Sequence, residues 1–252
     1  MQRLFAFVEA TGKLLVELLA VLAGVGLIVG ALSVSGLSGT LVNELLFLAG
    51  GSTIILLAMG ALTSFILGIG MTVTAAYIFL AIVLAPALIE GGLHPMGVHL
   101  FILYWAMLSF ITPPVALGAF AAASVAGAKP MPTGFAAMQL GLATYLIPFF
   151  FVLDEALIFE GPIHASIQAL VEVGVGMLLI AGASQKYLPF FGPLAGGWLR
   201  WLTGVSGLLI ALPGLETLDL PLTNTTLMMA GFAFLILGYI YHRFGRPVKV
   251  AG

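Results

Sequence analysis

Cysteine is absent and charge is scarce. Without Cys there is no disulfide framework, no thiolate metal site and no Cys nucleophile. Only 7% of the 252 residues are charged and 62% are hydrophobic, against about 25% charged in a soluble domain. So few charges cannot cover so much apolar surface in water. This excludes a soluble enzyme, a nucleic-acid binder and a disordered chain, and calls for a protein whose solvent is mostly lipid. The net charge of −2 implies no polybasic or polyacidic partner surface. What the chain does have is glycine, 32 residues, and proline, 13. That surplus points to irregular backbone at membrane depth, which is tolerated only where it faces protein or a watery cavity.

A span needs about 20 apolar residues. The first runs from about Leu14 to Leu32, followed by a short amphipathic helix around Leu41–Leu48. The block Ser52–Ile89 carries no charge and is too long for one span. Gly68-Ile69-Gly70-Met71-Thr72-Val73-Thr74 interrupts it, leaving two arms. Each arm is about 16 residues, or roughly 24 Å as helix, short of a hydrocarbon core of about 30 Å. A re-entrant helical hairpin over about 52–89 is the economical reading. The block Val98–Val125 is broken by Ser109-Phe110-Ile111-Thr112-Pro113-Pro114, where two prolines remove two backbone donors. Further spans are expected over Phe135–Leu153, Ala165–Ala183, Leu194–Leu212 and Leu227–Tyr241.

With both termini in the cytoplasm, this layout puts all 8 Lys and Arg on one side. A single crossing in place of the hairpin would break that pattern; two full crossings would preserve it, so arm length and the glycine-rich tip must separate those two options.

Unwound backbone in a bilayer exposes amides and carbonyls that must find partners. Transport proteins use such breaks to coordinate Na⁺ with neutral oxygens and to meet anionic substrates with helix N-termini. Gly68, Gly70, Thr72 and Thr74 offer flexible carbonyls and two hydroxyls; Ser109, Thr112 and the carbonyls before Pro113 and Pro114 offer a second half of one site. Oxygen ligands suit a hard cation. The alternative is that the prolines only kink a helix and the glycines only permit close packing.

The run Leu67-Gly68-Ile69-Gly70-Met71-Thr72-Val73-Thr74-Ala75-Ala76-Tyr77-Ile78 resembles the hairpin signature of the fused permease of TRAP transporters of the TAXI type, in which G-M-G-x-P-T-T-A-A-Y is usual. His99-Leu100-Phe101 through Ile111-Thr112-Pro113-Pro114-Val115-Ala116-Leu117 is similar to that family's H-L-F…S-x-I-T-P-P-V-A-L motif, and Ala126-Gly127-Ala128-Lys129-Pro130-Met131 and Pro148-Phe149 continue the likeness. Two positions depart from it: Thr72 stands where the family has Pro, and Val73 where it has the first Thr of a pair. The likeness covers about residues 4–160 and only the second of the permease's two inverted halves.

The resemblance implies an all-α polytopic membrane protein, one inverted-repeat half of an elevator-type transporter with a re-entrant hairpin and a broken helix. Residues 1–160 would form that half, with the hairpin over about 52–89, the broken helix over about 98–125 and a helix over about 135–153. Residues 161–252 would add about three transmembrane helices. It implies no enzyme activity and no cofactor. It implies a permease importing organic-acid anions on a cation gradient, usually Na⁺. Cation ligands would be Gly68, Gly70, Thr72, Thr74, Ser109, Thr112 and Pro113, and substrate contacts Thr74, Thr112 and Pro114. The partners implied are a periplasmic TAXI-type substrate-binding protein and the lipid of a bacterial or archaeal inner membrane. The permease's first half and the small membrane subunit would be further partners if they lie on separate chains. An inactive, structural or truncated subunit is the other reading.

Other constellations are weaker. Gly204-Val205-Ser206-Gly207 matches the G-x-S-G pattern of intramembrane serine proteases, but the only later His is His242, at the basic inner end of the last helix and remote in depth from Ser206. A small-residue packing role for Ser206 is simpler. His94, His99 and Glu90 lack metal-ligand spacing, and Glu17 beside Lys13 reads as interfacial. Glu172 is left without a role. Arg200 with Trp198 and Trp201 reads as an inner-interface anchor, and Gly174, Gly176 and Gly182 read as helix-packing positions.

Overall fold

The computed structural model describes residues 2–68, 72–114, 116–189, 192–194, 197–214 and 222–244. These are almost entirely helical, relieved by one antiparallel ribbon of Tyr187–Leu188 and Gly192–Pro193. Helix α1 spans Gln2–Ser35, well beyond the apolar core that sequence marks, and ends at Gly36, whose φ of +72° turns the chain into α2, Leu37–Ala49. Helix α2 is thus longer than expected. Val42, Leu45, Leu46 and Ala49 face the core at i, i+3, i+4, i+7 spacing, while Phe47 and Leu48 are exposed.

The charge-free block folds as α3, Thr53–Gly68, α4, Val73–Val83, and the short α5, Ala85–Glu90. The next block gives α6, Pro95–Leu108, and α7, Leu117–Ala126, on either side of a break. Helix α3 tracks α6: Gly60 lies on Phe101, and Gly68 on Ala106. Helix α4 packs on α6 through Tyr77 and His99, Oη to Nδ1 at 3.1 Å, and the chain has returned to the start of α3 by the end of α5. At the end of α5, Gly91 is pressed against Leu56 at the start of α3. Leu57, Leu80, Leu84, Leu88, Phe101 and Ile102 form the core of this assembly, all essentially fully buried.

The expected single helix over Phe135–Leu153 is not one helix. It is α8, Pro130–Leu140, a 3-10 turn, Leu142–Tyr145, and α9, Ile147–Leu153, bent by 69°. The cause is local. Gly141 caps α8 where a side chain would strike Ile111 (a Cβ would sit 2.7 Å from Cδ1), and Pro148 at the start of α9 has no amide to continue the ladder. This bent element runs antiparallel to the α6–α7 pair throughout. Gly97 abuts Phe151, Phe101 packs on Phe149 at 5.3 Å and Trp105 on Tyr145 at 6.1 Å; beyond the bend, Gly134 abuts Phe120 and Pro113.

Helices α10, Ile163–Gln185, α11, Gly197–Ala211, and α12, Asn224–Phe244, form a separate bundle. By length and composition α10 is sufficient to cross a membrane. Gly176 and Gly207 meet face to face: a Cβ on Gly176 would lie 2.5 Å from the Gly207 carbonyl oxygen and 2.9 Å from the Ala211 nitrogen. Gly182 is covered by Leu188, and Gly231 of α12 seats on Ile210. Gly174 is the exception to the packing expectation: it is exposed, with nothing within 4 Å of a would-be Cβ. The bundle joins the first assembly through Phe150 and Leu157, packed on Ala169 and Ala211.

Gly176→Val is therefore expected to lower stability by about 1–3 kcal/mol by forcing α10 from α11. Gly174→Ala should be neutral or stabilising by about 0.5–1 kcal/mol. Thermal unfolding of the detergent-solubilised protein checks both.

Candidate functional site

The site begins with a backbone problem. Pro113 and Pro114 carry no N–H, so α6 cannot run on. It tightens first: the amides of Phe110 and Ile111 donate to the carbonyls of Met107 (3.0 Å) and Leu108 (3.1 Å). The freed carbonyls are then taken up from the far side of the break. Phe110 O accepts from the amides of Gly118 (3.0 Å) and Ala119 (3.3 Å) at the start of α7, and Thr112 O from Ala116 (3.1 Å). The Pro113–Pro114 bond is cis, and buried Ala116 has a φ of +32°. A left-handed conformation costs a non-glycine residue about 1–2 kcal/mol.

Side chains complete the break. The Ser109 hydroxyl donates to Ala106 O (2.8 Å) and the Thr112 hydroxyl to Leu108 O (2.7 Å); both residues are buried. Because the single Thr112 proton is thus committed, the short contact between Thr112 Oγ1 and Tyr145 Oη has Tyr145 as donor. A hydroxyl that gives its proton to a carbonyl keeps its lone pairs for another partner. Gly68 closes this cluster from the hairpin: a Cβ there would lie 3.1 Å from Ala106 O and 3.5 Å from Ser109 Oγ.

The structure therefore brings Gly68 against Ser109, while Thr112, in the same break, is bound to Leu108 O and Tyr145, and Pro113 is held against Gly134. Thr72 is exposed and serves as N-cap of α4, its hydroxyl accepting from Ala75 N at 3.3 Å. Thr74 and Pro114 are exposed, and among the described residues no hydrogen bond joins Thr72 or Thr74 to Ser109 or Thr112. Gly70 lies outside the described residues.

Tyr145 was missed from sequence, being 33 positions from the threonine it serves. Ser64 was missed too. It is fully buried, its hydroxyl has no partner among the described residues, and it completes a Gly60–Ser64–Gly68 row of small residues at i, i+4, i+8 along the α6 contact. That spacing was the available signal. The indole N–H of Trp105, one turn before Ser109, is likewise buried without a partner.

The remaining polar residues are occupied elsewhere. Lys13 pairs with Glu9 (2.7 Å), while the Glu17 and His242 side chains lie outside the described set. The Ser206 hydroxyl donates to Leu202 O (2.7 Å) in its own helix, and its carbonyl meets Gly231. Glu172 receives Gln168 Nε2 on one carboxylate oxygen and Asn224 Nδ2 on the other, each at 2.8 Å. Burial raises the Asp154 carboxyl, in the connection after α9, from its ordinary value against the pull of the Ala156 amide, with Glu172 and Glu155 adding repulsion.

Residues 1–162 match the family model described as the DctM component of tripartite ATP-independent periplasmic transporters. No curated protein and no solved structure matches the chain. Helices α10, α11 and α12 lie beyond the matched region.

Thr112→Val leaves the Tyr145 hydroxyl without its acceptor and is expected to cost about 1–3 kcal/mol; Tyr145→Phe should cost about 1 kcal/mol. In a double-mutant cycle of thermal unfolding the two should be non-additive, the double variant losing less than the sum.

Proposed function

The chain belongs to the family of the DctM component of tripartite ATP-independent periplasmic transporters, and from that premise we propose that it acts as permease machinery of the TAXI type, moving organic-acid anions inward with a cation, Na⁺ by preference. The family is a membrane transporter component, not an enzyme class, and works with a substrate-binding protein and a small membrane subunit. The TAXI assignment, and the correspondence to the second inverted half of the permease, rest on the hairpin and Thr-Pro-Pro motifs.

The observation that carries the cation proposal is the closure of Gly68 onto Ser109 beside Thr112. The end of α3 approaches the break after α6 there, and the oxygens are neutral. Such a set suits a singly charged hard cation, because no carboxylate is present to overbind it. The re-entrant reading gains support from arm length. Helices α3 and α4 have 16 and 11 residues, roughly 24 and 16 Å, both short of a core of about 30 Å. The cytoplasmic placement of both termini rests on the one-sided distribution of Lys and Arg. The exposed apolar length of α1, Phe5, Val16, Leu27 and Val34 among it, suits lipid or a companion subunit.

The test is uptake into proteoliposomes holding the chain with its companion subunits and binding protein, corrected for folded protein. An inward Na⁺ gradient should drive uptake and K⁺ should not replace it. Ser109→Ala and Thr112→Val should each raise the Na⁺ concentration for half-maximal uptake by about tenfold, the equivalent of about 1.4 kcal/mol. Uptake indifferent to Na⁺ and to both substitutions would overturn the cation site.

A further inference from the structure

A groove of about 420 Å³ opens where the matched region meets the C-terminal bundle. One wall is the 3-10 turn, through Leu142 and Leu146; the other is α10 and α11, through Ile180, Gly204, Val205 and Leu208. Its lining is apolar except at one end, where Ser184 and Arg200 lie. Arg200 Nε donates to Ala183 O (3.1 Å) near the C-terminus of α10, which fixes the guanidinium at the mouth and leaves its other donors to be used. Among the described residues the one ion pair is Lys13–Glu9, so no carboxylate neutralises Arg200. Lys186, exposed at the C-cap of α10, adds positive charge at the same end, and the N-terminus of α11 begins there at Gly197. Trp198 and Trp201 stand exposed beside it, 65% and 74%, as aromatic residues do at headgroup level.

An apolar trough with an unneutralised cation at its mouth is complementary to one kind of molecule: an anion attached to a hydrocarbon chain. The dimensions agree. From Gly197 to Leu208 the groove follows α11 for roughly 16 Å by helical rise, close to half of a hydrocarbon core of about 30 Å. We propose that this groove is a binding site for an anionic phospholipid, its phosphate at Arg200 and one acyl chain laid along α11 against Leu142 and Leu146. The site rests on the membrane placement of the family and not on cation-coupled transport, so either can fail alone.

The test is native mass spectrometry of the full chain released from detergent, titrated with phosphatidylglycerol or with phosphatidylcholine of the same acyl chains. Wild type should retain phosphatidylglycerol with about tenfold preference. Arg200→Gln should abolish the preference while retaining some of both lipids. Gly204→Leu should reduce both lipids alike, since a Cβ there meets only Ala183 Cβ at 3.4 Å and the larger side chain extends into the trough. Unchanged thermal unfolding of lipid-free variants confirms that each is folded; were Gly204→Leu to unfold, Val205→Phe replaces it as the groove-filling variant, and were Arg200→Gln to unfold, Arg200→Met replaces it as the charge-removing one. Equal retention of the two lipids by wild type, a preference that survives Arg200→Gln, or displacement of phosphatidylglycerol by inorganic phosphate alone would overturn the proposal.

Discussion

The break between α6 and α7 exists only because its own backbone satisfies it. Phe110 O takes two amides from α7 and Thr112 O takes a third, so a proline pair that should have left naked carbonyls leaves few. In an apolar surrounding each unpaired group would cost several kcal/mol. That requirement dictates the neighbours. Tyr145 must reach Thr112, Gly134 must be small enough to admit Pro113, and Gly68 small enough to let the hairpin settle on Ala106. The oxygens proposed for a cation belong to this repair, since Ser109 and Thr112 lie in the break and Gly68 closes onto Ser109.

Much of this was legible from composition and punctuation. The glycine run and the Pro-Pro pair marked both interruptions within a few residues, because glycine and proline act on the backbone directly and need no partner. What was illegible depended on partners. The bend at 141–146 lies inside an evenly apolar stretch, and hydropathy cannot register a change of direction; that Gly141 must lack a side chain there is set by Ile111, which occupies the space beside it. The pairing of Thr112 with Tyr145 joins positions 33 apart. Gly174 and Gly176 look alike in sequence, yet only Gly176 touches α11. The second arm is also divided where the first is not, since Leu84 and Pro86 end α4 and begin α5.

Polar contacts are few and each fixes the register of one element on another. Gln139 and Ser184 exchange hydrogen bonds between α8 and α10 at 3.1 and 2.9 Å, and Asn224 of α12 holds Glu172 of α10. Where lipid is the solvent, apolar surfaces gain little by choosing one another over the acyl chains. Specificity then falls to glycine contacts, which demand one crossing point, and to such hydrogen bonds, which demand one rotation. The scarcity of charge in the chain is compatible with a defined structure for this reason.

The two bent elements deviate side by side. A straight helix packed against a broken one would be sheared whenever the broken one flexed, because interdigitated side chains cannot slide freely. Here α6–α7 and α8–α9 share their discontinuities at one level, with Thr112 and Tyr145 as the stitch across them. The antiparallel pair of α7 and α8 is anchored at two places, by the Thr112–Tyr145 stitch at the shared break and by the Gln139–Ser184 exchange with α10, so any strain on one bent element is passed to the other and on to the C-terminal bundle.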